Sequence, residues 1–361
     1  MDKKILIAFS AVFLLFIAGC GGGETSSSTL TTPFLGGQGG VEIKFLEGNP
    51  PAEVTDTDTF PFKAVVSLKN VGEHDIGDSK MKVNLIGFLP SQFKATGTAD
   101  QFLDTDLSKV LDTALTGRKK DADGNIIEPV ETFLTFPTDT KDFKFSSQVQ
   151  GNTIFVFRAD ACYLYKSKAI SELCILQNQI DKAPDAVCNP TESKTIFSSG
   201  SPIKATSFRQ NVAGKDKVQF SFDVMHSGTG NTFDPAILAS EGTATVPTCP
   251  KDPSIRRAKE DKVLVTVDTG LVKLVVDDPV TAANEAVSGY TLNCVGLSGV
   301  TTATTAKQAG TLKLIDSKRT ITCTLDLPAS RTDFKKPIDI TIDFSYGQTA
   351  DKEVLVKHIL S

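Results

Sequence analysis

Short runs of β-branched and aromatic residues, each closed by Gly, Pro, Asp or Asn, constrain this chain more than anything else in it. They include FPFKAVVSLKN (60–70), KMKVNLIGF (80–88), KVQFSFDVMH (217–226), DKVLVTVD (261–268), RTITCTLDL (319–327) and KPIDITIDFSY (336–346). Branched and ring carbons that alternate across a pleated backbone cover one face of a strand, and this spacing predicts antiparallel sandwiches. One stretch has helical periodicity. In DTDLSKVLDTAL (104–115), Leu107, Val110, Leu111 and Leu115 share a face, and Asp104 or Asp106 can cap it. A short helical insert is expected there.

The pattern repeats. KAVVSLKNVGEHDIG (63–77) matches VQFSFDVMHSGTGN (218–231), each a strand, a polar residue and a glycine turn, with His226 in the place of Asn70. KMKVNLIGFLPS (80–91) matches GYTLNCVGLSGV (289–300) in the same order. NTIFVFRADACYLYKSKAISELCI (152–175) matches KPIDITIDFSYGQTADKEVLVKHI (336–359), and both read as strand, turn, strand. Two tandem Ig-like β-sandwich domains are expected, at 41–180 and 201–361, with an insert near 97–131 and a junction at 181–200.

The N-terminus sets the address. Lys3 and Lys4 precede an apolar run, Ile5 to Ala18, that ends in Ile17-Ala18-Gly19-Cys20. The run is too short to span a bilayer and has the form of a secretory signal, residues 1–19. Its end resembles the lipobox of prokaryotic lipoproteins. That resemblance implies a lipid on the Cys20 thiol, cleavage just before it, and attachment to the outer face of the cell membrane. Residues 20–40, rich in Gly, Ser and Thr, then read as a flexible tether with a reach of roughly 25 Å.

Six further cysteines remain: Cys162, Cys174, Cys188, Cys249, Cys294 and Cys323. An even number in an exported chain reads as disulfides. A hairpin turning near Lys168 would set Cys162 opposite Cys174. Cys294 and Cys323 lie in strand-like runs and are expected to pair, which leaves Cys188 for Cys249. With long spacings and no CxxC, no metal site is expected of them.

No constellation for chemistry stands out, so no catalytic residue and no cofactor is expected. The three histidines are scattered: His74 and His226 beside turns, His358 in the last strand. The best ligand-like stretch is KKDADGNIIE, which offers Asp121, Asp123 and Asn125 at alternate positions, as a calcium loop would. Ile126 stands where that loop needs glycine and Thr132 where it needs glutamate, so a tight turn is the simpler reading. Asp56 and Asp58 in VTDTDTF read as a solvated edge. A net charge of −5 argues against a nucleic-acid partner, and the absence of Trp argues against a sugar-stacking face.

VSLKNVGE followed by VNLIGFLP, and ITCTLDLP followed by IDITIDFSY, resemble the Ig-like surface domains of the CARDB type, common in archaeal cell-envelope proteins. The resemblance implies a fold and a surface setting, with no activity attached. The expectation is a lipid-anchored, non-enzymatic cell-envelope protein with a binding or structural role. Its partner would be an unidentified surface or envelope protein, met on sheet edges, loops or the insert. A solute- or polymer-binding lipoprotein serving a transporter would need a deep cleft. An envelope hydrolase would need clustered carboxylates.

Overall fold

The computed structural model describes residues 32–56, 60–96, 101–138, 140–145, 147–235, 247, 249–271, 289–302 and 306–359. The signal segment, Cys20, most of the tether, the start of the insert and Asp58 lie outside the described residues.

The protein is all-β, built from sandwiched, largely antiparallel sheets. One sheet has the order β1 (Val41–Phe45), β3 (Ala64–Asn70), β9 (Thr132–Phe136). A second has the order β12 (Glu192–Ser193), β14 (Ile203–Gly214), β15 (Lys217–His226), β21 (Lys318–Asp326), β18 (Thr291–Val295). The third is long. Its path is β19 (Ser298–Thr302), β20 (Lys307–Lys313), β17 (Lys262–Asp268), β22 (Phe334–Lys357), β11 (Thr153–Ile175), β4 (Met81–Ile86), β6 (Ser108–Val110). β2 (Glu53–Thr55) and β16 (Asn231–Phe233) join it through β22, and β13 (Phe197–Ser198) through β11. Two small ribbons complete the set: β5 (Phe93–Ala95) with β10 (Phe143–Phe145), and β7 (Lys119–Lys120) with β8 (Ile126–Ile127).

β11 and β22 are the spine. They pair without interruption from Thr153↔Val356 to Ile175↔Phe334, a ribbon roughly 75 Å long. Odd-numbered residues of β11 from Phe157 to Ile175 are buried throughout. Their cross-strand partners in β22, such as Ile338, Ile340, Ile342, Phe344 and Tyr346, are buried with them. The same face of one sheet is therefore covered along its whole length, and the cover joins both halves of the chain in one hydrophobic cluster. At one end this core is phenylalanine: Phe88 stacks on Phe157 at 4.5 Å, and Phe62, Phe93 and Phe143 meet edge-on or tilted at 5.5–6.2 Å.

Three sequence expectations are corrected here. The turn near Lys168 is absent: Lys168 pairs with Thr341 inside β11. YLYKSKAIS has no Gly, Asn or Asp to take the positive φ that a tight hairpin turn needs, so the strand runs on. The matching turn within 334–357 is absent as well. Cys162 and Cys174 therefore lie about 40 Å apart along one strand and cannot bond. Each finds another partner, giving Cys162–Cys249 and Cys174–Cys188, while Cys294–Cys323 forms as expected between directly opposed residues of β18 and β21.

The helix at 104–115 is the third. Ser108–Val110 instead satisfy the open edge of β4, pairing with Lys82–Asn84. Leu111 and Leu115 are buried, but from extended chain, with Leu111 N–H donating to Met81 O and Leu115 N–H to Ile76 O. Free backbone groups on β4 outweigh a marginal helix of this length. Asp106 holds the segment down, accepting hydrogen bonds from Leu103 N–H (2.7 Å), Thr138 Oγ1 (3.2 Å) and Lys141 Nζ (2.7 Å). Burial pushes its carboxyl up, but Lys141 and these donors outweigh burial and hold it below the usual value. Asp106→Asn is expected to cost on the order of 2 kcal/mol at neutral pH. The wild-type advantage should be full above about pH 4, the unfolded carboxyl value, and fade as pH falls through the lower folded value. Urea unfolding of both chains from pH 2 to 7 measures it.

Candidate functional site

The middle of the long ribbon is where the halves meet and where polar side chains converge on one another. Each half builds the same corner. Asn70-Val71-Gly72 ends β3, and the Tyr165 hydroxyl of β11 donates to Asn70 Oδ1 (3.0 Å) and accepts from His74 N–H (3.3 Å). His226-Ser227-Gly228 ends β15, and the Tyr346 hydroxyl of β22 lies 3.0 Å from His226 Nε2 and accepts from Gly230 N–H (2.8 Å). The glycines are required. A Cβ on Gly72 would sit 2.0 Å from the Tyr165 hydroxyl, and one on Gly228 would sit 2.2 Å from that of Tyr346.

Tyr163, between them, donates to Gln348 Oε1 (2.5 Å) and accepts from Val41 N–H (3.1 Å). Burial pushes the phenols of Tyr163 and Tyr165 well up and that of Tyr346 up to about 12. Burial also holds the His74 and His226 imidazoles below the ordinary histidine value. These hydrogen bonds lock the two corners to the ribbon.

Glu73 fixes the incoming chain to this centre. Its carboxylate accepts from Leu35 N–H (2.9 Å), Gly36 N–H (2.8 Å) and Gly200 N–H, and its own N–H donates to Gly200 O (3.0 Å). The first described residues are thereby tied to the stretch that links the halves.

Two depressions open beside this centre and share Thr229, Gln348 and Thr349. One, of about 530 Å3, follows Gln38–Ile43 and is bounded by Pro202 and Ser227. The other, of about 480 Å3, is lined by Arg158, Lys251, Arg256, Asp160 and Asn231, with Cys249 at its floor. The Cys162–Cys249 bridge holds the loop before α1 (Pro253–Lys259) against the ribbon. Asp252 caps that helix, its Oδ1 accepting from Ser254 N–H (2.8 Å) and Ile255 N–H (3.2 Å).

Around the second depression Arg158 binds Asp351 through Nε (2.6 Å) and Nη2 (2.7 Å). Arg256 binds Glu260 through Nε and Nη2, and Lys251 lies 3.3 Å from Asp160. Each cation beside this depression is thus matched by one carboxylate: Arg158 by Asp351, Arg256 by Glu260 and Lys251 by Asp160.

The calcium-like residues do something else. Asp121 Oδ1 accepts from Asp123 N–H (3.0 Å) and Asn125 N–H (2.7 Å), and Oδ2 from Asn125 Nδ2 (3.0 Å), closing the β7–β8 turn with Gly124 at φ +86°. The Asn125 amide foremost holds the Asp121 carboxyl below its usual value. Among the described residues no three His, Cys, Asp or Glu gather as a metal would require, and no helix is long and apolar enough to cross a membrane. The expected insert presents exposed Ile126, Ile127 and Val130, away from the shared depressions.

Asp56 corrects another expectation. It is buried, not solvated, and accepts from Val149 N–H (3.1 Å) and Ile359 N–H (3.2 Å), with His358 Nδ1 at 2.6 Å. No sequence signal joined these three segments, because each lies far from the others along the chain.

No family model matches this chain, and no curated protein matches it. Among solved structures, one described as manganese lipoxygenase of Gaeumannomyces graminis and partial zonadhesin of Komagataella pastoris aligns at 11% identity. It covers 91% of this chain and 97% of its own, with a TM-score of 0.15. A partial N-terminal region of an enterococcal surface protein aligns at 6% identity, covering 92% and 98%, with a TM-score of 0.15. A serine-rich repeat adhesion glycoprotein from Streptococcus agalactiae aligns at 7%, covering 92% and 100%, with a TM-score of 0.16. Scores this low establish no common fold, and no function is transferred from them.

Proposed function

We propose that this is a lipid-anchored, extracytoplasmic, non-enzymatic protein of the cell envelope that acts by binding another surface or envelope protein. One observation carries the reading. A run ending in Ile17-Ala18-Gly19-Cys20 and a Gly/Ser/Thr stretch lead directly into an all-β body stapled by three disulfides. Such bridges belong to chains that fold in an oxidising compartment. They would stabilise the body by about 2–4 kcal/mol each. A diacylated cysteine anchors firmly, whereas a single acyl chain is marginal. The Glu73 clamp on Leu35 and Gly36 would pass any pull on the tether into the centre of the body.

Cell fractionation of wild type and Cys20→Ser tests the anchor. Wild type is expected in the membrane fraction, accessible to protease added outside, and Cys20→Ser in the medium or soluble extract. Equal partition of both chains would sink the lipid reading. In vivo cross-linking tests the role: a surface or envelope protein captured by wild type supports binding, and a permease captured in its place supports transport.

A further inference from the structure

We propose that the β7–β8 hairpin faces the membrane, seating Ile126, Ile127 and Val130 in the interface of a neutral-lipid bilayer and so fixing how the body stands on it. The inference goes beyond the protein-binding reading and rests on the lipid anchor proposed with it.

Apolar exposure is concentrated here. Ile126 is 49% exposed, Ile127 53%, Val130 75% and Phe133 49%. Among the described residues, no other stretch of eight exposes more than two large apolar side chains. β7 and β8 pair only with each other among these residues, so no third strand covers the ribbon. Such a patch marks a surface that meets a partner, and the route of the incoming chain says which.

β7 is rooted where that chain joins the body. Arg118 N–H donates to Gly72 O (2.7 Å) and Gly117 N–H to Asp75 Oδ1 (2.8 Å). A Cβ on Gly117 would sit 2.8 Å from Gly72 O, so glycine is what lets the ribbon start this close. Glu73 holds Leu35 and Gly36, and Lys120 Nζ donates to Phe34 O (3.4 Å). The chain from Cys20 therefore reaches the body alongside the hairpin. Twelve steps separate Cys20 from Thr32, the first described residue. They span at most about 43 Å. A lipid on Cys20 thus keeps the hairpin close to the bilayer, and such confinement seats a patch too weak to hold a free protein there.

Charge does not choose the lipid. Lys119 is paired with Asp75 (2.7 Å), and Glu128 lies between Lys69 (3.8 Å) and Arg118 (3.5 Å). Asp121 and Asp123 at the turn offset Lys120. The apolar side chains do the holding, which suits a neutral headgroup better than an anionic one.

The chain contains no tryptophan, so a single introduced indole reports its own surroundings. Ile127→Trp is made in the chain from Cys20 onward, which keeps the whole described body. Cys20 is the one cysteine outside the three bridges, and its thiol is coupled to a maleimide lipid in phosphatidylcholine vesicles. The test then runs whatever modifies Cys20 in the cell. An unlipidated native chain would sink the anchor, and an unseated hairpin would sink this proposal alone. With phosphatidylcholine brominated on one acyl chain, the indole is expected to blue-shift and to be quenched about twofold or more, from a depth of about 5–10 Å. Adding Ile126→Ser and Val130→Ser should return its emission to the lipid-free value, with the melting temperature confirming a folded body. Ile154→Trp, at a position 59% exposed and about 36 Å along β11 from the Tyr165 corner, should stay unquenched. Added phosphatidylglycerol should not strengthen the effect. No quenching at position 127, equal quenching at 154, or quenching that survives the serines would overturn the proposal. So would quenching that appears only with phosphatidylglycerol. A blue shift without vesicles that grows with protein concentration would assign the patch to a second copy and overturn it too.

Discussion

Arg331→Ala is expected to destabilise the protein by about 3 kcal/mol, the cost of taking a buried guanidinium away from three backbone carbonyls and a half-exposed carboxylate. The side chain is 1% exposed and is used in full. Nε donates to Leu176 O (2.7 Å), Nη1 to Asp216 Oδ1 (2.7 Å) and Pro328 O (2.6 Å), and Nη2 to Lys215 O (2.7 Å). Three carbonyls that water cannot fully reach lose their donor together, and each orphan adds to the cost. The acceptors come from the end of β11, the β14–β15 turn and the approach to β22, so one guanidinium ties three elements. Arg331→Lys should recover only part of the loss, since an ammonium cannot match a planar fork aimed at four acceptors. Urea midpoints, with the slope unchanged, read the effect. A loss below about 1 kcal/mol for the alanine variant would contradict this account of the second sheet's attachment.

The second large effect is at Gly72. A Cβ there would lie 2.0 Å from the Tyr165 hydroxyl, 2.5 Å from Gly39 O and 2.8 Å from Gly200 O. Two of the three are backbone, so rotating the tyrosine away does not make room. Overpacking a filled core costs about 1–3 kcal/mol, occasionally more, and this site belongs at the upper end. Gly72→Ala is expected to lower the melting temperature and to speed hydrogen exchange at Leu35 and Gly36, because the clamp on Glu73 is adjacent. Tyr165→Phe in the same chain should rescue little. Gly228→Ala meets the Tyr346 hydroxyl at 2.2 Å and Pro202 Cβ at 2.6 Å, both side-chain atoms, and is expected to be milder. Equal stability of Gly72→Ala and wild type, by thermal unfolding, would show that the corner is not packed as described.

The strands were legible because their residues are β-formers wherever they are placed. Val66, Leu68, Val83 and Ile340 need only a face to cover. The spine was not legible as a spine. Tyr163, Tyr165 and Lys168 look like the approach to a turn, and only the partner strand, 179 residues later at Tyr165↔Phe344, shows that the chain stays extended. Only a turn there would set Cys162 against Cys174, and without it they bond to Cys249 and Cys188. Cys294–Cys323 needed no such turn, because local strand character alone places both residues. The repeated Asn-x-Gly and His-x-Gly turns were visible, but the tyrosines that lock them come from a different strand. The helix at 104–115 failed for a related reason: Leu111 and Leu115 are equally good at facing a core from extended chain, and the open edge of β4 decided between the two. The depressions beside the middle of the ribbon were not legible, because their walls come from segments far apart in the chain. Arg158 lies 93 residues before Lys251 and 98 before Arg256, and a disulfide whose pairing the sequence does not determine brings it beside them.

The measurement that bears most directly on the central claim is the intact mass of the mature protein extracted from native membranes, taken before and after reduction. The account predicts a chain that begins at Cys20, is heavier than its sequence by a diacylglyceryl group, and gains about six mass units on reduction, two per bridge. A chain of unmodified sequence mass, or one that keeps Met1 and gains nothing on reduction, would contradict the anchor and the compartment together.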